Sequence, residues 1–140
     1  MEKTTQELMQ ILKQSQSLDE FLEKEDDSLH PAELSELLKD FLCKKKMSAS
    51  ELIRRSGLDR TYTYQILSGV KRPSREKVEA LCFALSLSLD EVQTLLHRAG
   101  YPTLYPKNQR DSILIFVLQR HGSLADVNEL LYDYGYPVLE

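Results

Sequence analysis

The stretch Ser48-Ala49-Ser50-Glu51-Leu52-Ile53-Arg54-Arg55-Ser56-Gly57-Leu58-Asp59-Arg60-Thr61-Tyr62-Thr63-Tyr64-Gln65-Ile66-Leu67-Ser68-Gly69 decides the reading of the whole chain. Ser48 with Glu51 three residues later is a helix start in which hydroxyl and carboxylate satisfy each other's orphan amides. The helix carries Leu52 as its apolar anchor and stops at Gly57, where a tight turn needs a positive φ angle. Leu58 plugs that turn, Asp59 caps a second helix, and Ile66 anchors it. Two short helices joined by a three-residue turn are predicted.

The same signals extend outward in both directions. The chain has 140 residues and only 5 glycines, which fall at the breaks Gly57, Gly69, Gly100, Gly122 and Gly135. Thr4 with Glu7, Ser17 with Glu20 and Ser88 with Glu91 repeat the capping pattern, Ser123 with Asp126 is a shorter version, and Pro31 suits a first helical turn. Leu34, Leu37, Leu38, Phe41 and Leu42 recur at helical spacing. Helices are predicted near 5–15, 18–24, 31–45, 49–56, 60–67, 75–85, 89–99, 109–121 and 124–134. The apolar run 113–118 alone also fits a buried strand, but no partner strand is visible, so an all-α fold is expected. The acidic run Glu23-Lys24-Glu25-Asp26-Asp27-Ser28 reads as a linker after two amphipathic helices, which are too small a pair to stand unaided.

Charge is segregated along the chain. The formal net charge is -4, which argues against a polycation coating nucleic acid or membrane as a whole. Residues 1–43 carry 4 basic and 11 acidic side chains, residues 44–77 carry 10 and 3, and residues 78–140 carry 4 and 8. A basic excess over one segment of an acidic chain predicts a local anion-binding surface, and phosphate is the natural anion. The six-residue apolar run is far too short for a membrane span, and the polar Met1-Glu2-Lys3-Thr4-Thr5-Gln6 lacks an apolar leader core. Cys43 and Cys82 are isolated from each other and from the histidines, so no metal ligation is expected. His30, His97 and His121 have no nucleophile beside them in a recognisable arrangement, and no phosphate-cradling glycine loop is present. A cytoplasmic, non-enzymatic protein without a cofactor is expected.

One segment occurs twice. Residues 88–104 align without gaps on 123–139, with 9 of 17 positions identical, including the terminators Gly100-Tyr101-Pro102 and Gly135-Tyr136-Pro137. Glycine supplies the left-handed helix end and proline prevents continuation. The preceding helices share apolar spacing, Val78 and Leu81 against Ile113 and Phe116. The tail is therefore predicted to copy the end of the central domain and to pack beside it.

The turn at Gly57, the Ser68-Gly69 loop, Arg72-Pro73-Ser74 and the Ser88-Leu89-Asp90-Glu91 start follow one another in an order that resembles the lambda-repressor-like, Xre-type helix-turn-helix family over about residues 32–99. Two positions depart from it: Ile53 stands where a small residue is usual, and Thr63 where a β-branched aliphatic is usual, an exchange that conserves volume if the two face each other. The resemblance implies a five-helix DNA-binding domain whose second motif helix enters the major groove. It implies base contacts from Arg60, Thr61, Tyr64 and Gln65, with Asp59 awkward because it brings negative charge near phosphates. It implies backbone contacts from Lys46, Ser48, Lys71, Arg72 and Arg75 and from the amides opening the helix near 49–56. For Arg54 and Arg55 solvated helix charge explains the residues as well, and for Lys44, Lys45 and Lys46 so does pairing with a helix C-terminus. Tyr62 shares a helical phase with Ile66 and is expected in the core.

The expected organisation is an N-terminal segment at 1–28, a DNA-binding domain at 29–104 and a two-helix extension at 105–140. Tyr101, Tyr105, Tyr132, Tyr134 and Tyr136 cluster toward the tail, where they serve either a dimer or partner surface or the packing of the duplicated units. Two functions compete on these grounds. One is a sequence-specific transcriptional regulator that binds double-stranded DNA as a homodimer. The other is an adaptor or antitoxin-like module using residues 1–28 or the Tyr-rich tail to bind a regulatory protein.

Overall fold

The computed structural model describes residues 4–14 and 33–140, which contain eight α-helices and no strand. They are α1 (Thr5–Gln14), α2 (Leu34–Lys44), α3 (Ala49–Ser56), α4 (Arg60–Leu67), α5 (Arg75–Ala84), α6 (Leu89–Arg98), α7 (Gln109–Gln119) and α8 (Leu124–Asp133). The helix expected over 18–24, the Ser17–Glu20 cap and Pro31 lie outside the described residues. The chain divides into two units, Met1–Pro31 and Ala32–Glu140. In the first, α1 opens with the Thr4 hydroxyl accepting from the Glu7 amide at 3.1 Å.

In the second unit α2 packs on α4, and α3 on α4 and α5. The tail helices α7 and α8 pack on each other, α7 also against α6 and α8 against α5. The helix expected from residue 31 begins at Leu34, after an extended Glu33 that offers it no side-chain cap. The apolar run 113–118 is helical: Asn108 caps α7, which buries Ile113, Leu114, Val117 and Leu118 and leaves Phe116 outside. Ser88–Glu91 and Ser123–Asp126 are reciprocal capping boxes. At Ser48 only half of the box forms. Its hydroxyl accepts from the Glu51 amide at 3.1 Å, but the Glu51 carboxylate turns to Arg55 at 2.8 Å.

The duplication is structural as well as sequential. The pair α5–α6 and the pair α7–α8 each turn through a residue at φ 56°, Ser86 in one and His121 in the other. Each ends on a left-handed glycine, Gly100 or Gly135, with the next tyrosine amide reaching back 2.8 Å to Leu96 or Leu131. The returning chain is then clamped by a side-chain amide. Gln93 donates to the Leu104 carbonyl at 2.9 Å and accepts from the Leu104 amide at 2.7 Å. Asn128 holds Leu139 in the same way at 3.1 and 2.7 Å. Gly122 differs from the other turn glycines. It has no positive φ, but a Cβ there would sit 2.5 Å from Val117 Cγ1, so close approach requires it.

A charge cluster joins the two copies. Arg75, at the start of α5, takes both carboxylate oxygens of Asp111 at 3.1 and 2.9 Å and the carbonyls of Pro102 and Thr103 at 2.9 and 2.8 Å. Arg110, 35 residues later at the start of α7, takes both oxygens of Glu79 at 3.3 and 2.8 Å. Each arginine thus reaches a carboxylate on the other copy's first helix, a bidentate geometry that a lysine cannot reproduce. Burial pushes the Glu79 carboxyl above its ordinary range against the pull of Arg110 and Arg75. Burial also acts to raise Asp111, but the Arg75 guanidinium and the Tyr105 amide outweigh it and hold this carboxyl below the usual range.

Asp111 therefore contributes stability above the unfolded carboxylate range, near pH ~3.9, and the contribution fades as pH falls through the lowered folded value. Asp111→Asn should cost about 1–3 kcal/mol at neutral pH, read from urea unfolding, and the gap to the parent should close on acidification. A gap that does not change with pH would remove the charge from the account.

Candidate nucleic-acid interface

The turn between α3 and α4 sets the presentation of α4. Gly57 sits at φ 71°, the left-handed region that glycine enters without steric cost. The Ser56 hydroxyl donates to the Ile53 carbonyl at 3.2 Å and accepts from the Leu58 amide at 3.3 Å, so the turn is bonded internally while Leu58 is buried. Asp59 caps α4 by accepting from the Tyr62 amide at 2.9 Å. Ile53 and Thr63 are both buried, and the Thr63 hydroxyl donates to the Asp59 carbonyl at 2.8 Å. Tyr62 is half-buried and packed on the core, with Thr63, Ile66 and Leu67 forming the inward face of α4.

The outward face of α4 carries Arg60, Thr61 and Tyr64, all exposed, with Gln65 half-buried beside them. The Arg60 guanidinium lies 6.0 Å from the centre of the Tyr64 ring one turn on, so the two side chains stand together at the start of the helix. Arg60 also lines an open cleft with Ser48, Ser50 and Arg54, which brings the first turn of α3 beside the first turn of α4. Glu51 and Ile53 line the same cleft, so its hydroxyls and guanidinium groups stand beside one carboxylate.

Residues 33–95 match the family model of the Cro/C1-type HTH DNA-binding domain. This part of the chain is a Cro/C1-type helix-turn-helix domain. No match to the chain was found among curated proteins or among solved structures. In this Cro/C1-type domain the five helices are α2 to α6, with α3 and α4 as the helix-turn-helix itself. Among the described residues no helix is long and apolar enough to cross a membrane, and no group of three metal-ligating side chains lies together.

The ten basic side chains of residues 44–77 divide into two groups. Lys46 and Lys71 are exposed and, among the described residues, make no ion pair. Arg54 is exposed, with its nearest carboxylate, Glu51, 3.7 Å away. Others hold the domain together. Lys45 bonds Glu91 at 3.2 Å. There, burial acting to raise the carboxyl is outweighed by the Ser88 amide and Lys45, which keep it below its ordinary range. Lys77 donates to the Glu140 carbonyl. Arg72 donates to the Ala99 carbonyl at 2.8 Å and stacks 4.3 Å from the Tyr101 ring, whose hydroxyl donates to the Pro73 carbonyl at 2.6 Å. Of the side chains expected on phosphate, Arg72 and Arg75 thus have their guanidinium groups engaged within the protein, because the ends of α6 and the 102–104 loop leave carbonyls that need donors. Of Arg54 and Arg55, both left open by the sequence, Arg54 lines the cleft and Arg55 bonds Glu51 at 2.8 Å. The place of Arg54 in the cleft follows from the α3–α4 crossing, which no local pattern displays.

The turn itself is open to test. A Cβ at Gly57 would meet nothing within 4 Å, so the cost of a side chain is backbone conformation alone. Gly57→Ala should lose about 1–2 kcal/mol, measured by chemical denaturation, and Gly57→Asn should recover part of it because asparagine tolerates the left-handed region. Equal losses in both variants would mean that packing, and not φ, sets the requirement.

Proposed function

We propose that the protein is a sequence-specific transcriptional regulator that reads the DNA major groove with α4. The observation that carries this reading is the row of exposed Arg60, Thr61 and Tyr64 with half-buried Gln65 on the motif helix of a Cro/C1-type domain, beside Lys46 and Lys71, which make no ion pair among the described residues. Arg60 is assigned to a guanine edge or a flanking phosphate, Gln65 to adenine, Thr61 to a thymine methyl, and Tyr64 to stacking or to a phosphate oxygen. Lys46, Ser48 and Lys71 position the duplex through its backbone, joined by Arg54 and the amides at the start of α3. Arg72 and Arg75 serve indirectly, by fixing the loops that carry Lys71 and the first turn of α5. Asp59 contributes as the cap that sets the start of α4 rather than as a contact.

In this reading residues 105–140 form an extension with its own role, and the regulator acts in the cytoplasm on two half-sites as a homodimer. An adaptor function through a protein partner is the second reading. It is favoured by the exposed Tyr105, Tyr132 and Tyr134, which base recognition leaves unused.

Selection from randomised duplexes should enrich one motif. With about six phosphate contacts, log affinity should fall against log salt with a slope of about -5. Arg60→Ala should lose about 1–3 kcal/mol of discrimination at one position, whereas Lys71→Ala should weaken every sequence alike. No enriched site together with a flat salt response would favour the adaptor. An exchange of the two mutational patterns would overturn the assignments within α4.

A further inference from the structure

The loop between α4 and α5 is anchored at two ends. Where it leaves α4, the Val70 and Lys71 amides both donate to the Gln65 carbonyl, at 2.9 and 3.1 Å. This ties the start of the loop to the motif helix itself. The other end is held from outside residues 33–95, the part that matches the Cro/C1-type domain. Pro73 is buried and has no amide, so its carbonyl is the one main-chain group it can offer. The Tyr101 hydroxyl donates to that carbonyl at 2.6 Å. The Tyr101 ring also lies 4.3 Å from the Arg72 guanidinium, which donates to the Ala99 carbonyl at 2.8 Å. Lys71 stands where the first anchor ends and the second begins, exposed and, among the described residues, without an ion pair.

We propose that Tyr101 is a positioning residue for DNA binding, whose hydroxyl and ring fix segment 71–73 so that Lys71 meets a phosphate from an already ordered backbone. The inference rests on the regulator reading and adds to it a residue beyond the family match. The first argument is the division of labour within one side chain. The hydroxyl holds the main chain at Pro73, and the ring is the platform on which the Arg72 guanidinium lies flat to reach Ala99. Arg72 without that platform keeps one bond and loses its stacking partner. The second argument comes from the repeat. In the tail copy the equivalent Tyr136 hydroxyl donates to the Gln109 side chain at the start of α7. In each copy, then, the tyrosine of the terminator reaches back to the entry of its own first helix. A side-chain acceptor leaves the main chain free to shift, whereas the carbonyl at Pro73 does not. The main chain held in the first copy is the one that carries Lys71. The third argument is entropy. A lysine on an anchored backbone has only its own torsions to order against a phosphate, while on a loose loop the backbone must be ordered as well.

The test is a double-mutant cycle on the full-length protein. Affinity is measured across salt concentrations for the duplex enriched from randomised DNA and for an unrelated duplex. Tyr101→Phe keeps the ring and removes only the hydroxyl, so it should weaken both duplexes about 5-fold, the worth of one neutral hydrogen bond. Tyr101→Ala, which also removes the platform, should approach the loss shown by Lys71→Ala, and both should flatten the salt slope by about 1. In a Lys71→Ala background neither Tyr101 substitution should cost any further affinity, with helicity equal to the parent's by circular dichroism. Losses that add in the double variants, a salt slope that does not change, or a loss confined to one base-pair position would each overturn the proposal. So would a Tyr101→Phe variant that binds as the parent does. A purely structural role for Tyr101 gives the additive result, because it does not pass through Lys71. A parent that binds no duplex would sink the regulator reading and the role of Tyr101 with it, whereas a parent that binds with additive losses would sink the role of Tyr101 alone.

Discussion

Residues 78–84 of α5 are buried without interruption, so this helix has no face left for water over nearly two turns. That constraint explains much of the rest. A helix enclosed on all sides needs a second layer, and the α7–α8 pair supplies it by contacting α5 and α6 from the tail. It also places the Glu79 carboxylate, 1% exposed, where an unpaired charge would be costly, and the bidentate Arg110 from the tail answers it. The Cys82 thiol lies in the same enclosure, and burial, joined by the charge of Glu79, pushes its ionisation well above the ordinary range.

The enclosure also determines how positive charge is used. A segment with seven more basic than acidic residues looks from its composition like a uniform anion-binding surface. In the folded chain Arg75 ties α5 to the 102–103 loop and the tail, Arg72 closes the end of α6, and Lys45 and Lys77 bond Glu91 and the chain terminus. Of the other six, Lys44 pairs with Glu91 and Arg54 and Arg55 with Glu51, while Lys46, Arg60 and Lys71 make no ion pair among the described residues. The basic excess is thus left as a few directed groups rather than a broad field, with Arg72 and Arg75 bonded within the fold.

Duplication shows which chemistry a helix pair of this kind needs in order to close. Gly100 and Gly135 end the second helix in the left-handed region, and Gln93 and Asn128 clamp the returning chain by the same pair of hydrogen bonds. Counting identities places the carboxamides among the mismatches. Their agreement is one of function at equal geometry, with the shorter asparagine making the same two bonds. The copies then diverge outward: Leu81 and Ala99 lie beneath helices, while Phe116 and Tyr134 are enlarged and left exposed.

The amino-acid order by itself determined the helical segments within a few residues, because capping serines, apolar spacing and terminal glycines act over one or two turns. It also determined the helix-turn-helix and the repeat, since Gly57, Leu58 and the Gly-Tyr-Pro ends stand at fixed local distances. The start of α2 was misplaced by three residues because Pro31 looks like a first-turn residue, while Glu33 begins the helix without a side-chain cap. Gly122 stands at a break like the other four glycines, but it is set by the approach of Val117 rather than by a left-handed φ. Only the tertiary structure decided which arginines are engaged across the fold, which carboxylates are buried, and that Arg54 joins Arg60 in one cleft. The arginine bonds among them join residues 27 to 36 positions apart, such as Arg72 with Ala99 and Arg75 with Asp111. Periodicity cannot report such pairs, because the free energy of a charge is set by what the fold brings against it.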